Sequence, residues 1–478
     1  RRFQGGRRRT DAEPVRYRST RGGATGVQFV DAMLQGMAPD GGLYVPESYP
    51  TLQFGSIGNG DYIRTATEVM WPFVEENYER DEFAEMVSEA YAEFDHPQIA
   101  PLRELNPAAG EWLLELFWGP SLAFKDIALQ LLGRLLEHEL SRRSTTATLI
   151  GATSGDTGSA AIEAVRGRAG IELFMLHPEG RVSTIQRLQM TTVDEPNIHN
   201  IAIEGTFDDC QDLVKAMFAA EAFRARYRLG TVNSINWARV MAQVVYYVSS
   251  ARALGAPEQA VAFSVPTGNF GNIYAGHVAR AMGVPIDQLI LATNVNDILS
   301  RAYDSGVVEV HQVVASQSPA MDIQVSSNFE RLLFELFDRQ GSKTAAFLEE
   351  FRSTGRAALS GPVHERFRQL FDAGRLTDSE TRNVISEVYK ESGLVIDPHT
   401  AVGVGVGRER RSDPSVPLVM LACAHPAKFP DTVVGALGEP PITPHRLAGL
   451  AGLAEYVEVL PNSLDAVQAH IAARALSK

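Results

Sequence analysis

The sequence predicts an α/β protein: parallel-sheet domains preceded by a mostly helical N-terminal domain. Three observations carry this. From about residue 101 onward, strand-like and helix-like segments alternate, the pattern of a parallel sheet covered on both faces. Glycine-bearing loops stand at the strand-to-helix turns near 119, 151–158 and 266–272. Residues 15–100 instead carry helical spacing with few strand signals.

Taken in order, the chain opens with Arg1, Arg2, Arg7, Arg8 and Arg9 and no apolar core after them. This is not the pattern of a secretory signal, and residues 1–14 are expected to form a flexible arginine-rich tail. Phe29 to Met37 reads as an amphipathic helix, Leu43 to Pro46 as a short extended segment, and Tyr62 to Phe94 as helix broken near Trp71-Pro72. Pro97 and Pro101 mark a boundary, so 15–100 is expected to be the helical domain. Two α/β domains follow, 101–260 and 261–478.

Leu113, Leu114, Leu116 and Phe117 read as a buried strand. Gly119-Pro120 breaks it, and a helix begins near Ala123, with Ile127, Leu131, Leu132, Leu135 and Leu136 on one face. Thr146 to Ile150, Ile171 to Leu176 and Ile198 to Ile203 are further strands, as are Val261 to Val265, Leu289 to Thr293 and Val416 to Ala422. Residues 338–392 are charged and read as outer helices. Ligands in such folds sit past the carboxyl ends of the strands, where these loops gather.

Composition sets bounds. The chain has 478 residues, 45% hydrophobic and 21% charged, and a net charge of -14. That is ordinary for a globular protein and argues against a nucleic-acid partner. No apolar run approaches a membrane span. The two cysteines, Cys210 and Cys423, build neither a disulfide framework nor a cysteine-based zinc site. A cytoplasmic location fits this usage, and no metal is expected.

The central stretch is Gly119-Pro120-Ser121-Leu122-Ala123-Phe124-Lys125-Asp126. Lys125 falls in the first turn of a helix among apolar neighbours. The helix dipole is positive there, so the position disfavours an ammonium and suits a lysine that must lose its proton and bind an aldehyde. The alternative is a packed stem whose ammonium reaches water. The loop Pro266 to Asn272 can aim several backbone N–H groups at one compact phosphate; otherwise it is a tight turn. In the loop 151–158, Ser154, Asp156 and Thr157 can hold a substrate anion, or can simply cap the next helix.

With these stretches in order, the chain resembles the threonine synthases, pyridoxal-phosphate enzymes of the tryptophan-synthase-β fold type. Further matching stretches are Asp40 to Pro46, Glu204 to Gln211, Asn233 to Arg239, Asp397 to Ala401 and Ala424 to Phe429. The long N-terminal region is similar to the bacterial and fungal branch. The resemblance implies pyridoxal 5'-phosphate bound covalently to Lys125, with its phosphate held by Gly268, Asn269, Phe270, Gly271 and Asn272. It puts Ser154, Asp156, Thr157, Asn236 and Arg239 on the substrate side.

The position facing the cofactor ring nitrogen, usually threonine or serine in the family, is Cys423 here. Its thiol is a weaker donor. The implied reaction turns O-phospho-L-homoserine and water into L-threonine and phosphate, in a monomer or dimer. Two other outcomes stay open at this point. One is a phospholyase releasing 2-oxobutyrate, ammonia and phosphate; the other is a non-catalytic relative.

Overall fold

The computed structural model describes residues 14–58 and 60–476, so all but the last residue of the arginine-rich tail, Pro14, lies outside the described residues. These group into two compact units. The first takes the chain up to Glu89, Phe94–Trp118 and Ser234–Pro441; the second takes Ala90–Glu93, Gly119–Asn233 and the chain from Ile442 on. The units therefore draw on the chain in alternation, where the sequence suggested three consecutive blocks divided near 100 and 260. The cause is the sheets themselves: parallel neighbours need crossovers, so one sheet collects strands from distant parts of the chain.

The first unit holds a six-stranded sheet in the order Asp372–Arg375, Ile286–Thr293, Val261–Pro266, Leu418–Ala422, Glu111–Glu115, Leu102–Asn106. All neighbours are parallel except the last pair. Every residue of Val261–Pro266 and of Leu418–Ala422 is buried, as a strand covered on both faces requires. Pro266 and Ala422 end parallel neighbouring strands. The loop after Pro266 and Cys423 after Ala422 thus leave from the same sheet edge, the carboxyl end.

Residues 338–392 are not purely helical. Asp372–Arg375 pairs with Ile290–Thr293 as the edge strand. Of its four residues only Ala373 and Gly374 are buried, and its reason to be extended is the backbone of a strand some eighty positions earlier. The expected single break near Trp71-Pro72 is present but falls slightly later: helix Tyr62–Val74 runs through Pro72, and the next helix, Arg80–Tyr91, follows the interruption. Pro72 sits in the last turn, where its missing N–H costs one bond. The buried face of Tyr62, Ala66, Val69, Met70 and Phe73 outweighs that cost.

Helix Asp378–Ser392 joins the core on one face of this sheet through Val384, Ile385 and Val388; Thr377 and Glu380 close its first turn reciprocally, with Glu380 Oε2 2.7 Å from the Thr377 nitrogen. Thr377→Ala is expected to cost about 1 kcal/mol, read as roughly fivefold faster amide exchange in that turn. The Thr377 N–H and hydroxyl hold Glu380 below the ordinary carboxylate range. The contribution is therefore present above that range and lost as pH falls through the lowered value. The difference between wild type and variant shrinks in acid.

The second unit holds a five-stranded, wholly parallel sheet ordered Glu458–Pro461, Ile198–Glu204, Ile171–Pro178, Ala147–Ala152, Leu229–Gly230. All eight residues of Ile171–Pro178 are buried. Phe174, Leu176, Ile201 and Ile203 pack against Leu213, Val214, Val467 and Ile471 of two covering helices. Among the described residues no helix is long and apolar enough to cross a membrane.

Candidate active site

Lys125 is the first residue of helix Lys125–Arg142 and is 9% exposed. The loop before it is shaped by its own sequence. Asp126 folds back so that its carboxylate accepts from the Ser121 N–H at 2.9 Å and the Ser121 hydroxyl at 2.7 Å. A side chain at Gly119 would meet Asp126 at 2.4 Å, which explains the glycine. Leu122 has φ 60°, a left-handed conformation rare outside glycine, and such outliers gather where a site needs them. The Lys125 Nζ lies 4.8 Å from the centre of the Phe124 ring and 3.8 Å from Asp156 Oδ2.

Asp156 opens helix Asp156–Val165, while Gly151 and Ala152 complete the preceding strand. Thr153 Oγ1 accepts from the N–H groups of Gly155 and Gly158, both at 2.9 Å, and holds the loop closed. Ser154 and Thr157 are half-buried. The structure sets Asp156 beside Lys125. A carboxylate there suits an ammonium group, and by charge it does not suit a substrate phosphate or carboxylate.

In the first unit, helix Gly271–Ala281 starts two residues earlier than the expected Ile273. The shift puts Gly271 and Asn272 in its first turn, where N–H groups lack intrahelical acceptors. With Gly268, Asn269 and Phe270 they form one run of donors at the positive end of a helix. Phe270 has φ 63° and is pinned edge-on by Phe329 and Phe371. An added Cβ at Gly268 would stand 2.7 Å from the Ala320 oxygen. Asn272 is 7% exposed, and its Oδ1 lies 2.5 Å from the Tyr246 hydroxyl and 2.9 Å from that of Tyr247. Its Nδ2 is buried with no partner among the described residues. A buried donor without a partner calls for an acceptor, so the loop's chemistry fits a phosphate.

Three more of the expected residues, Cys423, Arg239 and Asn236, belong to the same unit. Burial pushes the Tyr246 and Tyr247 phenols well up, and Cys423 is near enough to add to this. The Cys423 N–H donates to Thr400 Oγ1 at 3.1 Å, and its thiol lies 3.7 Å from the Leu421 oxygen. Arg239 is 3% exposed, and burial lowers it to about 10, which leaves it a cation at neutral pH. Asn236 caps the helix Trp237–Ala253 through Oδ1 and donates from Nδ2 to the Met33 oxygen at 2.8 Å. Its side chain is thereby engaged in structure.

Sequence reasoning passed over Tyr246, Tyr247, Thr400 and Gln186. The phenols had a readable signal, two adjacent tyrosines after an apolar pair, Val244 and Val245, in the middle of a helix. A cavity of about 530 Å³ lined by Asp297, Arg301, His311 and Arg375 contains none of the expected site residues. Among the described residues no group of acidic, histidine or cysteine side chains is suited to hold a metal.

Burial lowers His425 to about 4, and its Nδ1 accepts from the Ala427 N–H at 3.2 Å, which needs the neutral ring. An unfolded chain takes up this proton near pH 6.5 and the folded one does not. Stability therefore falls as pH drops from 6.5 to 4. His425→Gln should flatten that slope by up to about 1.4 kcal/mol per pH unit, measured as urea midpoints at pH 6.5 and 5.

Three family models match: "Threonine synthase N terminus" over residues 16–91, "Pyridoxal-phosphate dependent enzyme" over 96–423, and "Threonine synthase, C-terminal" over 400–471. A threonine synthase of Pseudomonas aeruginosa is 51% identical, covering 96% of this chain and 98% of its own. One of Corynebacterium glutamicum is 45% identical, covering 95% and 98%. The crystal structure of pyridoxal-phosphate-bound threonine synthase from Brucella melitensis superposes with a TM-score of 0.93 at 47% identity, covering 97% of this chain and all of that one. The yeast threonine synthase structure gives 0.90 at 36%, covering 96% and 98%.

Proposed function

The chain belongs to the threonine synthase family, and from that premise we propose that it converts O-phospho-L-homoserine and water into L-threonine and phosphate. It is a lyase that depends on pyridoxal phosphate. The observation that carries the assignment of roles is Lys125, a buried lysine opening a helix with a carboxylate 3.8 Å from its nitrogen.

In this reading Gly268 to Asn272 hold the cofactor phosphate with backbone N–H groups and the Asn272 amide, and Lys125 is the covalent anchor. Bound pyridoxal phosphate supplies an electron sink for the pair left when a proton departs from the substrate. The reaction requires protons to leave Cα and Cβ before phosphate leaves Cγ, and a water oxygen to end on Cβ.

Lys125 Nζ takes the Cα proton and returns it at the end of the cycle. Asp156 lies within Coulomb reach of that nitrogen, and it favours the ammonium while the proton is held. Arg239 supplies a planar cation for one substrate anion. The Ser154 and Thr157 hydroxyls supply neutral donors for another. Asn236 serves by fixing the start of the helix that carries Arg239. Cys423 offers the ring nitrogen a neutral, weakly donating neighbour.

The test is incubation with O-phospho-L-homoserine, reading threonine and phosphate together. Equal amounts of the two are expected. Phosphate with 2-oxobutyrate and ammonia would make the protein a phospholyase. No turnover at all would make it a non-catalytic relative.

A further inference from the structure

We propose that Gln186 is a positioning residue: it presents the Asp156 carboxylate to Lys125 and so sets the pH range in which Lys125 works. The proposal rests on the role given to Lys125 above.

Gln186 lies in helix Thr184–Thr191 and is 3% exposed. Its amide has one chemically consistent orientation. Nε2 is 2.9 Å from Asp156 Oδ1, which only accepts, and Oε1 is 2.8 Å from the Ser183 hydroxyl, which can donate. Ser183 is the N-cap of the same helix. The amide therefore ties a helix cap to one oxygen of Asp156, leaving the other oxygen 3.8 Å from Lys125 Nζ.

Two further contacts make this more than a packing accident. Gly155 has φ 145°, and a Cβ there would stand 2.4 Å from the Gln186 amide carbon. The glycine at the turn into Asp156 is thus the space that Gln186 occupies. One turn on, Gln189 Nε2 donates to the Ser121 oxygen at 3.0 Å. A single short helix fixes both the Asp156 carboxylate and the loop that delivers Lys125.

Among the described residues, charged and titratable groups on the packed elements include Lys125, Asp126, Glu163, His177 and Arg187. Asp126 accepts from Ser121, and Arg187 pairs with Glu455. Burial lowers His177 below the ordinary histidine range. Lys125 stands at ion-pair distance from Asp156. A hydrogen bond donated to a carboxylate favours its ionised form, so losing the Gln186 amide should raise the pH at which the pair fails.

The experiment compares wild type, Gln186→Ala and Gln186→Glu as full-length, cofactor-loaded protein. Threonine formation is followed from pH 5.5 to 9, with a pH titration of the bound cofactor's absorbance alongside. Gln186→Ala should lose at least tenfold in kcat with KM changed less than twofold, and its acid limb should move up by half a pH unit or more. Gln186→Glu sets a second carboxylate against Asp156, and the two must share a proton. Its kcat should fall further at pH 8 and recover toward pH 6, the reverse of the alanine variant.

The absorbance midpoint should move in both variants. If both keep kcat within twofold, or lose it equally at every pH with an unmoved absorbance titration, Gln186 only packs and the proposal is overturned. If wild type makes no threonine, the assigned function fails, which is a separate result. Should a Gln186 variant not fold, Ser183→Ala frees the other end of the amide. It must then shift the acid limb the same way as Gln186→Ala, and an unmoved limb would overturn the proposal.

Discussion

Lys125→Ala is expected to lower threonine formation at least about a thousandfold and to remove the absorbance band of lysine-bound cofactor. The variant loses two functions at one atom. Nζ is the anchor for the aldehyde, and it is the base for the Cα proton. Removing it also takes a cation from beside Asp156, a carboxylate 5% exposed, so some stability should go as well. Lys125→Arg separates these effects. It restores a positive charge near Asp156 but cannot bind an aldehyde. It should recover stability with neither activity nor absorbance, so loss in both variants would mark the lysine's chemistry and not its packing.

Asn272→Asp should weaken pyridoxal-phosphate affinity at least about a hundredfold, near 3 kcal/mol. The two side chains have almost the same shape, and the Tyr246 and Tyr247 hydroxyls that meet Oδ1 can still donate. What changes is the other end. A buried donor becomes a carboxylate oxygen in the first turn of helix Gly271–Ala281. A negative charge there suits the helix, so folding should survive, but it opposes a phosphate dianion. Asn272→Ala, which removes the donor without adding charge, should cost about tenfold. Cofactor titration of the resolved protein measures both. An aspartate variant that binds as tightly as wild type would mean Asn272 does not face the phosphate.

Much of this was legible because the signals are local. A buried strand, Gly119-Pro120 and an apolar helix face are enough to place Lys125 in a first turn, where it stands. The loop 266–272 reads as a donor nest from two glycines between a strand and a helix, and the structure moves the helix start by only two residues. What escaped depends on partners far along the chain. Asp372–Arg375 is extended because Ile290–Thr293 lies beside it. Pro72 stays helical because the face it belongs to is buried. Gln186 meets Asp156 across thirty positions, and nothing in its own neighbourhood announces a buried amide. Asn236 stands in a matching stretch, and its amide caps a helix and reaches Met33, contacts that its sequence position does not announce.

The most direct test of the central claim is borohydride reduction of the cofactor-loaded protein, followed by peptide mass mapping. Reduction makes the link between cofactor and lysine permanent. One pyridoxyl group is expected, on the peptide that contains Lys125. The same mass on another lysine, such as the fully buried Lys428, or no modified peptide at all, would contradict it.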